Sequence, residues 1–261
     1  MAYCPKCGAP TAEPTATPQE RYRRVRYEEN LLRSVVIAGA VLVGIAVIVI
    51  ALVAVGLIPS IGIGAPVVGS GNVQTQTKAI ADFTAVSASS GFTVQITQGS
   101  TYSVNITADD NILQYVEVTK TGSTLNIGIR PLLGYQTTTL KADITMPNIT
   151  TVQFSGGVVS TASGFNLTHS FTADLSGGSR YTMTGQGTDL TAMCSGGTTL
   201  DLSHFEVTNA SVAFSGGSQG TINLTGRLDA TLSGGARLYY IGNPTLGNID
   251  TSGGASISKA T

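Results

Sequence analysis

The sequence predicts an all-β protein, built as a parallel β-helix behind one N-terminal transmembrane helix. Three observations lead to this fold class. The triplet Ser-Gly-Gly recurs six times in the C-terminal half, alternating apolar and polar residues precede each triplet, and an uncharged apolar run lies near the N-terminus. Charged residues make up only 11% of the chain and 32 residues are Gly. Such a composition suits short strands and tight turns better than helical bundles.

The six triplets recur at intervals of 21, 19, 20, 18 and 19 residues, starting at Ser155, Ser176, Ser195, Ser215, Ser233 and Ser252. A period of this length indicates a repeat architecture, in which each unit buries its apolar face only by stacking on its neighbours. A leucine-rich repeat would need a regular Leu/Asn frame, and a propeller blade would need about twice the length. Coils of about 19–20 residues with Gly corners therefore predict a β-solenoid.

Alternation before each triplet identifies the buried positions. One residue before the triplet the sequence has an inward column of Phe154, Leu175, Cys194, Phe214, Leu232 and Thr251. Three residues before the triplet the residues are also apolar, and the residues between are mostly polar, so one strand face is buried and the other is wet. Cys194 takes the place of Phe and Leu in this column, which predicts a small buried residue and not a nucleophile.

Earlier in the chain, Gln98-Gly99-Ser100 joins two alternating runs, a pattern that predicts either a hairpin or an early coil. Residues 125–129 and 141–147 have the pattern of further strands.

An uncharged apolar run of 24 residues extends from Val35 to Ile58. As a helix it spans about 36 Å, enough to cross a hydrocarbon core of about 30 Å. A cleaved signal peptide has a shorter apolar region, of about 7–15 residues, close to the start of the chain. The sequence therefore predicts an uncleaved transmembrane helix at residues 34–58.

The charges that flank this helix predict its orientation. Five arginines precede it closely, and no charge follows it until Lys78. The positive-inside rule then places the tail, residues 1–33, in the cytoplasm and everything after residue 58 outside a single-pass cell-membrane protein. Residues 59–78 are rich in Gly, Ser and Pro and predict a flexible stalk. Residues 79–261 are the predicted external β-helix domain.

The cytoplasmic tail contains Cys4 and Cys7 in a Cys-Pro-Lys-Cys-Gly turn. This spacing puts two thiolates on one side of a tight loop, which is half of a tetrahedral zinc site. The turn resembles the first knuckle of zinc ribbons, but the second knuckle is missing, and Cys194 belongs to the external domain. Three interpretations stay open: zinc shared between two chains, a degenerate relic, and a redox or other role.

A longer resemblance covers roughly residues 79–261. It rests on the runs Ala81–Val86, Phe92–Gly99, Leu125–Ile127, Ile144–Pro147 and Val152–Gly157 with the repeats that follow. These resemble autotransporter-adhesin head domains, also called GIN domains. The resemblance implies a right-handed β-helix, surface display and adhesion, and it supplies no established catalytic residues.

Some β-helix proteins cleave polysaccharides, which requires clustered carboxylates. Here the repeats carry scattered aspartates, at Asp174, Asp189, Asp201, Asp229 and Asp250. Asp174 and Asp250 share a column, but three coils separate them by about 14 Å, whereas a carboxylate pair needs about 5–9.5 Å. His169 and His204 are the only histidines, and no catalytic or metal-binding spacing links them. The sequence therefore predicts no enzyme.

Five asparagines stand in Asn-x-Ser/Thr and are predicted glycosylation sites: Asn105, Asn148, Asn166, Asn209 and Asn223. The net charge of −1 and the lack of a basic–aromatic patch give no reason to expect nucleic acid as a partner. The expected partners are the lipid bilayer, a cell-surface glycan or protein, and further copies of the chain. Zinc at Cys4 and Cys7 is the one cofactor that the sequence suggests.

The sequence thus predicts a membrane-anchored, surface-displayed protein that binds without catalysis, or that scaffolds the envelope. An envelope signalling component, in which the external domain reports to a zinc-binding tail, is the alternative. A glycan-active β-helix enzyme is the less favoured interpretation.

Overall fold

The computed structural model describes residues 66–130, 134–137 and 139–260. Cys4, Cys7, the predicted transmembrane helix and the first part of the predicted stalk lie outside the described residues. Within the described ranges, no helix has the length and apolarity needed to cross a bilayer. Gly64–Thr261 form one compact unit, and its described residues share one hydrophobic core.

Strands dominate the described part of the chain, and only one short helix, α1 (Asp110–Leu113), accompanies them. In chain order the strands are β1 (Val67–Val68), β2 (Val73–Lys78), β3 (Ala85–Ala88), β4 (Thr93–Gln98), β5 (Ser103–Asp109), β6 (Val116–Thr121), β7 (Thr124–Ile129), β8 (Tyr135–Gln136), β9 (Leu140–Met146), β10 (Thr151–Phe154), β11 (Val159–Asn166), β12 (Phe171–Leu175), β13 (Arg180–Gln186), β14 (Asp189–Cys194), β15 (Thr199–Val207), β16 (Asn209–Phe214), β17 (Gln219–Leu224), β18 (Arg227–Leu232), β19 (Arg237–Ile241), β20 (Thr245–Thr251) and β21 (Ser256–Lys259).

Nearly all strands belong to two sheets. The nine-stranded sheet has the order β20-β18-β16-β14-β12-β10-β3-β7-β6, and the ten-stranded sheet has the order β2-β5-β9-β4-β11-β13-β15-β17-β19-β21. From β10 onward, successive strands alternate between the two sheets, and each pairs in parallel with the strand two further along the chain. The predicted β-solenoid is confirmed.

The predicted inward column lies in register in the nine-stranded sheet. Its members Phe154, Leu175, Cys194, Phe214 and Leu232 pair in that order and are each no more than 2% exposed. The ten-stranded sheet supplies the facing column of Ser160, Tyr181, Leu200, Gly220 and Leu238. The Phe214 ring fills the space that a side chain at Gly220 would take. Large and small residues therefore complement each other across the core.

Each Ser-Gly-Gly triplet forms a corner between the two sheets. At one of them the Ser215 N–H donates to the Cys194 carbonyl of the preceding coil at 2.8 Å, and the Gly217 N–H donates to the Gly196 carbonyl at 2.8 Å. Between them Gly216 has φ +67, and an added Cβ there would lie 3.1 Å from the backbone N and O of Gly196. The first glycine is therefore required both by its torsion angle and by the close approach of the coils.

A further corner lies at Ser89–Gly91, where the sequence has no Ser-Gly-Gly triplet. Ser90 has φ +65, and the Gly91 N–H donates to the Gly156 carbonyl at 2.9 Å. This corner joins β3 to β4. The coil that they form lies between the coil of β7 and β9 and the coil of β10 and β11. Stacking order and chain order therefore differ at this end of the solenoid.

The predicted hairpin at residues 98–100 is wrong, whereas the early coil is correct for β4. β9 lies between β4 and β5, parallel to the first and antiparallel to the second. On the other side of β5 the sheet continues into β2. Residues 73–78, which the sequence pattern assigns to the stalk, thus form a strand of the ten-stranded sheet, and residues 67–68 pair with β8.

Asp109 connects the segments at this end. Its carboxylate is completely buried and accepts hydrogen bonds from the Gly71 N–H, at 2.8 Å, and from the Thr137 hydroxyl. Directly after it, α1 buries Ile112 and Leu113 in the core. The residues that lead into the solenoid are thereby fixed to its first strands.

Candidate binding surface

The outer face of the ten-stranded sheet carries a continuous row of side chains, one from each strand, which we call the outer ladder. The strand registers place its members side by side in the order Thr77, Asn105, Asp143, Gln95, Thr161, Thr182, Asp201, Thr221, Tyr239 and Ser258. Eight of the ten end in a hydroxyl or an amide. With about 4.8 Å between strands, the row is about 43 Å long.

The period of two in each strand produces this row. In β13, for example, Tyr181 and Met183 are buried, so Thr182 between them faces outward. Hydrogen bonds link neighbouring members: the Thr77 hydroxyl donates to Oδ1 of Asn105 at 2.7 Å. The result is a flat surface with hydroxyl and amide groups at a regular spacing.

Both carboxylates of the outer ladder have partners on the same surface. Asp143 forms an ion pair with Lys141 at 2.8 Å. One oxygen of Asp201 accepts hydrogen bonds from the N–H and the hydroxyl of Ser203, at 3.0 and 2.6 Å. Because exposed pairs of this kind contribute little energy, their main effect is to leave a surface that favours an uncharged, hydrogen-bonding ligand over a polyion.

The outer face of the nine-stranded sheet has a different character. It carries a row of Thr151, Thr172, Thr191, Ser211 and Asp229, and beside it the exposed side chain of Met193. Arg227 donates two hydrogen bonds of 2.7 Å to Asp229 and thereby lowers the pKa of that carboxyl. This face supplies matched control positions for experiments on the outer ladder.

Three open depressions of about 290, 420 and 170 Å³ lie on the surface. The largest lies beside the first strands of the ten-stranded sheet and has no carboxylate in its lining. The other two contain one carboxylate each, Glu117 and Asp174. None of the three brings together the pair of acidic groups that glycoside cleavage requires.

The five aspartates discussed above are not brought together. Asp189 accepts a hydrogen bond from the Asn209 amide at 2.8 Å, and Asp201 and Asp229 have the partners already described. Asp174 and Asp250 lie on the nine-stranded sheet, four strands apart in its order, at β12 and β20. In the part of the chain that the structure describes, no three His, Cys, Asp or Glu side chains are grouped so as to hold a metal ion.

The two histidines lie apart from each other. A ring nitrogen of His169 lies 2.8 Å from Oδ1 of Asn148, and the other lies 3.0 Å from the Ser170 carbonyl. His204 is exposed on β15. Neither lies beside a nucleophile in the described contacts.

The comparison with protein families decides which group this solenoid represents. Residues 82–244, more than half of the chain, match the family described as "Putative auto-transporter adhesin, head GIN domain". The chain belongs to this family. The GIN domain match covers the β-solenoid from just before β3 to the end of β19.

Solved structures agree with this GIN-domain fold. A putative adhesin from Bacteroides fragilis is similar with a TM-score of 0.62 and 18% sequence identity, over 74% of this chain and 100% of that one. A putative adhesin from Parabacteroides merdae has a TM-score of 0.42 and 18% identity, over 76% and 100%. A putative lipid binding protein from Parabacteroides distasonis has a TM-score of 0.44 and 14% identity, over 76% and 100%. No curated protein matches this chain.

The one cysteine of this GIN domain, Cys194, is only 2% exposed in the inward column. Burial raises the pKa of its thiol to about 12. Since the thiolate is the form that attacks substrates and binds metals, Cys194 is inert at neutral pH. The predicted structural role of this residue is confirmed.

Asparagines of the five glycosylation motifs all lie within the GIN domain, and their surroundings differ. Four have hydrogen-bonded side chains, at Asn105, Asn148, Asn209 and Asn223. Asn166, at the end of β11, is exposed, and its side chain has no hydrogen-bond partner among the described residues. The structure thus ranks Asn166 first by accessibility, while glycosylation itself stays a prediction.

Sequence reasoning missed the length of the outer ladder, since it found only the strands that carry triplets. Thr77, Asn105, Asp143 and Gln95 extend the row beyond those repeats. Their alternating patterns marked them as strands, but nothing in the sequence revealed that antiparallel strands would join the same sheet.

Proposed function

We propose that this protein is a membrane-tethered, surface-displayed binding protein whose outer ladder holds a neutral glycan polymer of the cell surface without chemical change. The outer ladder is the observation that carries the proposal: ten side chains in register, eight of them hydroxyl or amide. The family description and the Bacteroides fragilis adhesin, which shares the fold, support the same use of the surface.

The geometry also supports a particular kind of affinity. A hydrogen bond made at a solvated surface contributes about 0.5–1.5 kcal/mol, so one sugar unit on a flat face binds weakly. A polymer that contacts many members of the outer ladder sums these contributions, and many copies on one cell add avidity. Weak individual contacts that become strong in number are suited to attachment.

We expect Thr161→Arg, in the middle of the outer ladder, to reduce binding of a glycan polymer by about tenfold, because the bulky cation interrupts the flat row and removes a hydroxyl. The control is Thr191→Arg, an equally exposed threonine in the strand of the opposite sheet. Binding of the full-length protein to a glycan array, followed by titration of the best polymer, measures the difference.

Two outcomes would contradict the proposal. Equal loss in both variants would show that the outer ladder has no special role. Release of shortened products from the bound polymer would show that the protein is an enzyme. Binding to a protein and to no glycan on the array would assign the surface to a protein ligand instead.

The anchor in this proposal rests on the apolar run, which lies outside the described residues. We expect deletion of residues 35–58 to move the protein from the membrane fraction to the soluble fraction, since no other predicted segment holds it there. In intact cells, external protease should remove the GIN domain and leave the tail protected. A tail that is cleaved from outside would reverse the proposed orientation.

The Cys-Pro-Lys-Cys-Gly turn favours a second candidate, an envelope signalling component with a zinc-binding tail. Cys4 and Cys7 provide two of the four ligands that a structural zinc site needs. Zinc that copurifies with the full-length protein and is lost in Cys4→Ser would support this role. Protein without zinc would leave the tail as a relic.

A further inference from the structure

In the described part of the chain, four strands form the outer edges of the two large sheets. They are β2 and β21 in the ten-stranded sheet, and β6 and β20 in the nine-stranded sheet. The outer edge of such a strand presents unpaired N–H and C=O groups and can accept a strand from another chain. Proteins commonly block such edges with charges or bulges.

Three of the four edges carry these blocking features. β6 has the exposed charges of Glu117 and Lys120. β20 contains a register shift against β18 and carries Asp250. In β21, Lys259 occupies a core-facing position, since it pairs with Tyr240 and so stands in the column of Ile222. An inward-pointing charge at the last strand disfavours further stacking.

The edge formed by β2 has none of these features. Its sequence from Val73 to Thr77 is uncharged, and all five side chains are exposed. Its six residues pair with β5 without a bulge. The hydroxyls of Thr75 and Thr107 lie 2.8 Å apart and support the strand from its inner side. β2 is thus a straight strand, bonded along one edge and open along the other among the described residues.

We propose that the open edge of β2 pairs antiparallel with β2 of a second copy, so that two ten-stranded sheets become one continuous sheet in a homodimer. A two-fold axis through Thr75 places Thr75 opposite its own copy, and Val73 opposite Thr77 of the second chain. Directly opposite residues then share one face of the sheet, as antiparallel pairing requires. An interface with this symmetry is self-complementary.

The charge pattern fits this arrangement. Lys78 is the only charge of β2, and the two-fold axis puts the two copies of Lys78 at opposite ends of the strand pair, about 20 Å apart. That distance exceeds the screening length of about 8 Å at physiological salt. The exposed Val73, 47% accessible, gains a neighbouring strand. A strand with its lysine in the middle would not tolerate such self-pairing.

Disulfide trapping in the full-length protein tests the pairing directly. Opposite residues of an antiparallel pair have Cα atoms about 4.5–5.5 Å apart, within the range of a disulfide. In a Cys4→Ser, Cys7→Ser background, we expect Thr75→Cys to give a covalent dimer in membranes under mild oxidation. Thr119→Cys, an exposed threonine on the edge strand β6, is the control and should stay monomeric. Equal cross-linking of both variants, or of neither, would overturn the proposal.

A charge swap tests it independently. Two differently tagged full-length copies are co-expressed, purified in detergent and captured by one tag. We expect Thr75→Lys in both copies to reduce the captured partner by about tenfold, because the two lysines face each other. Pairing Thr75→Lys with Thr75→Glu should restore capture. Thr119→Lys in both copies should have no effect.

Capture that survives Thr75→Lys in both copies but disappears on zinc chelation would contradict the β2 interface and assign association to Cys4 and Cys7. Loss of capture that the Lys–Glu combination does not restore would show that the substitution acts by damaging the fold, and would also count against the proposal.

Discussion

Gly216→Ala is expected to lower the free energy of unfolding by about 2–3 kcal/mol, while Gly217→Ala changes it by less than about 0.5 kcal/mol. Gly216 has φ +67, where a side chain costs about 1–2 kcal/mol. Its Cβ would also lie 3.1 Å from backbone atoms of Gly196, which are held in the preceding coil. At Gly217, φ lies outside the left-handed region, and the nearest atom to an added Cβ is the Gly196 oxygen at 3.7 Å.

Urea unfolding of residues 64–261, which form a compact unit, measures both variants by far-UV circular dichroism. The two glycines are neighbours with the same exposure class and the same chemical change, so Gly217→Ala controls for the general effect of a methyl group at the corner. Similar losses in both variants would show that the corner does not depend on the torsion and close approach of its first glycine.

Gly220→Ala is expected to destabilise the domain by about 1–3 kcal/mol, as overpacked cores do. The added Cβ would lie within 2.7 Å of Cζ of Phe214, whose ring is 1% exposed and has no free space to enter. Phe214→Leu alone is expected to cost about 1–2 kcal/mol through lost contacts. Because the smaller Leu leaves room for the methyl group, the double variant should lose less than the sum of the two, by about 0.5–3 kcal/mol.

A double-mutant cycle on urea unfolding of residues 64–261 checks this coupling. The matched control replaces Phe154, another ring of the same inward column, by Leu in combination with Gly220→Ala. Phe154 lies three coils from Phe214 in the register of the nine-stranded sheet, about 14 Å away, so these two changes should be additive. Additivity in the Phe214 cycle would mean that the ring and the glycine do not share one space.

The repeats from Thr151 onward were predictable because one short signal, the Ser-Gly-Gly corner, recurs at each coil and sets the register of both flanking strands. The inward position of Cys194 followed from that register alone. At the other end the corner is Ser89–Gly91, and Ser90 takes a left-handed conformation that is rare for a residue with a side chain. A pattern search based on glycine cannot recognise such a corner.

The first strands were harder to place because their partners are distant in sequence. Local alternation identified β4 and β5 as strands, and a short Gly-containing link between two strands usually predicts a hairpin. Here β9 separates them, and only tertiary packing determines that choice. The stalk prediction failed at residues 73–78 for a related reason: a polar strand exposed on both faces has the composition of a linker.

The candidate surface was predictable in kind but not in extent. Outward Thr and Asp positions followed from period two in the triplet repeats, and the scattering of Asp174, Asp189 and Asp250 followed from the same register. Asp109 gave no such signal, because its burial depends on contacts with Gly71 and Thr137, 38 and 28 residues away.

The coil of β3 and β4 has a consequence for the order in which the domain assembles. In the later repeats, paired strands are 18–21 residues apart. β3, by contrast, pairs with β7 from residue 86 to residue 125, a separation of 39, and with β10 from residue 86 to residue 152, a separation of 66. Contacts of long separation form slowly because the intervening chain must first be closed. During synthesis from the N-terminus, β3 therefore waits until β10 has emerged, and we expect the folding nucleus to form in the later, local repeats.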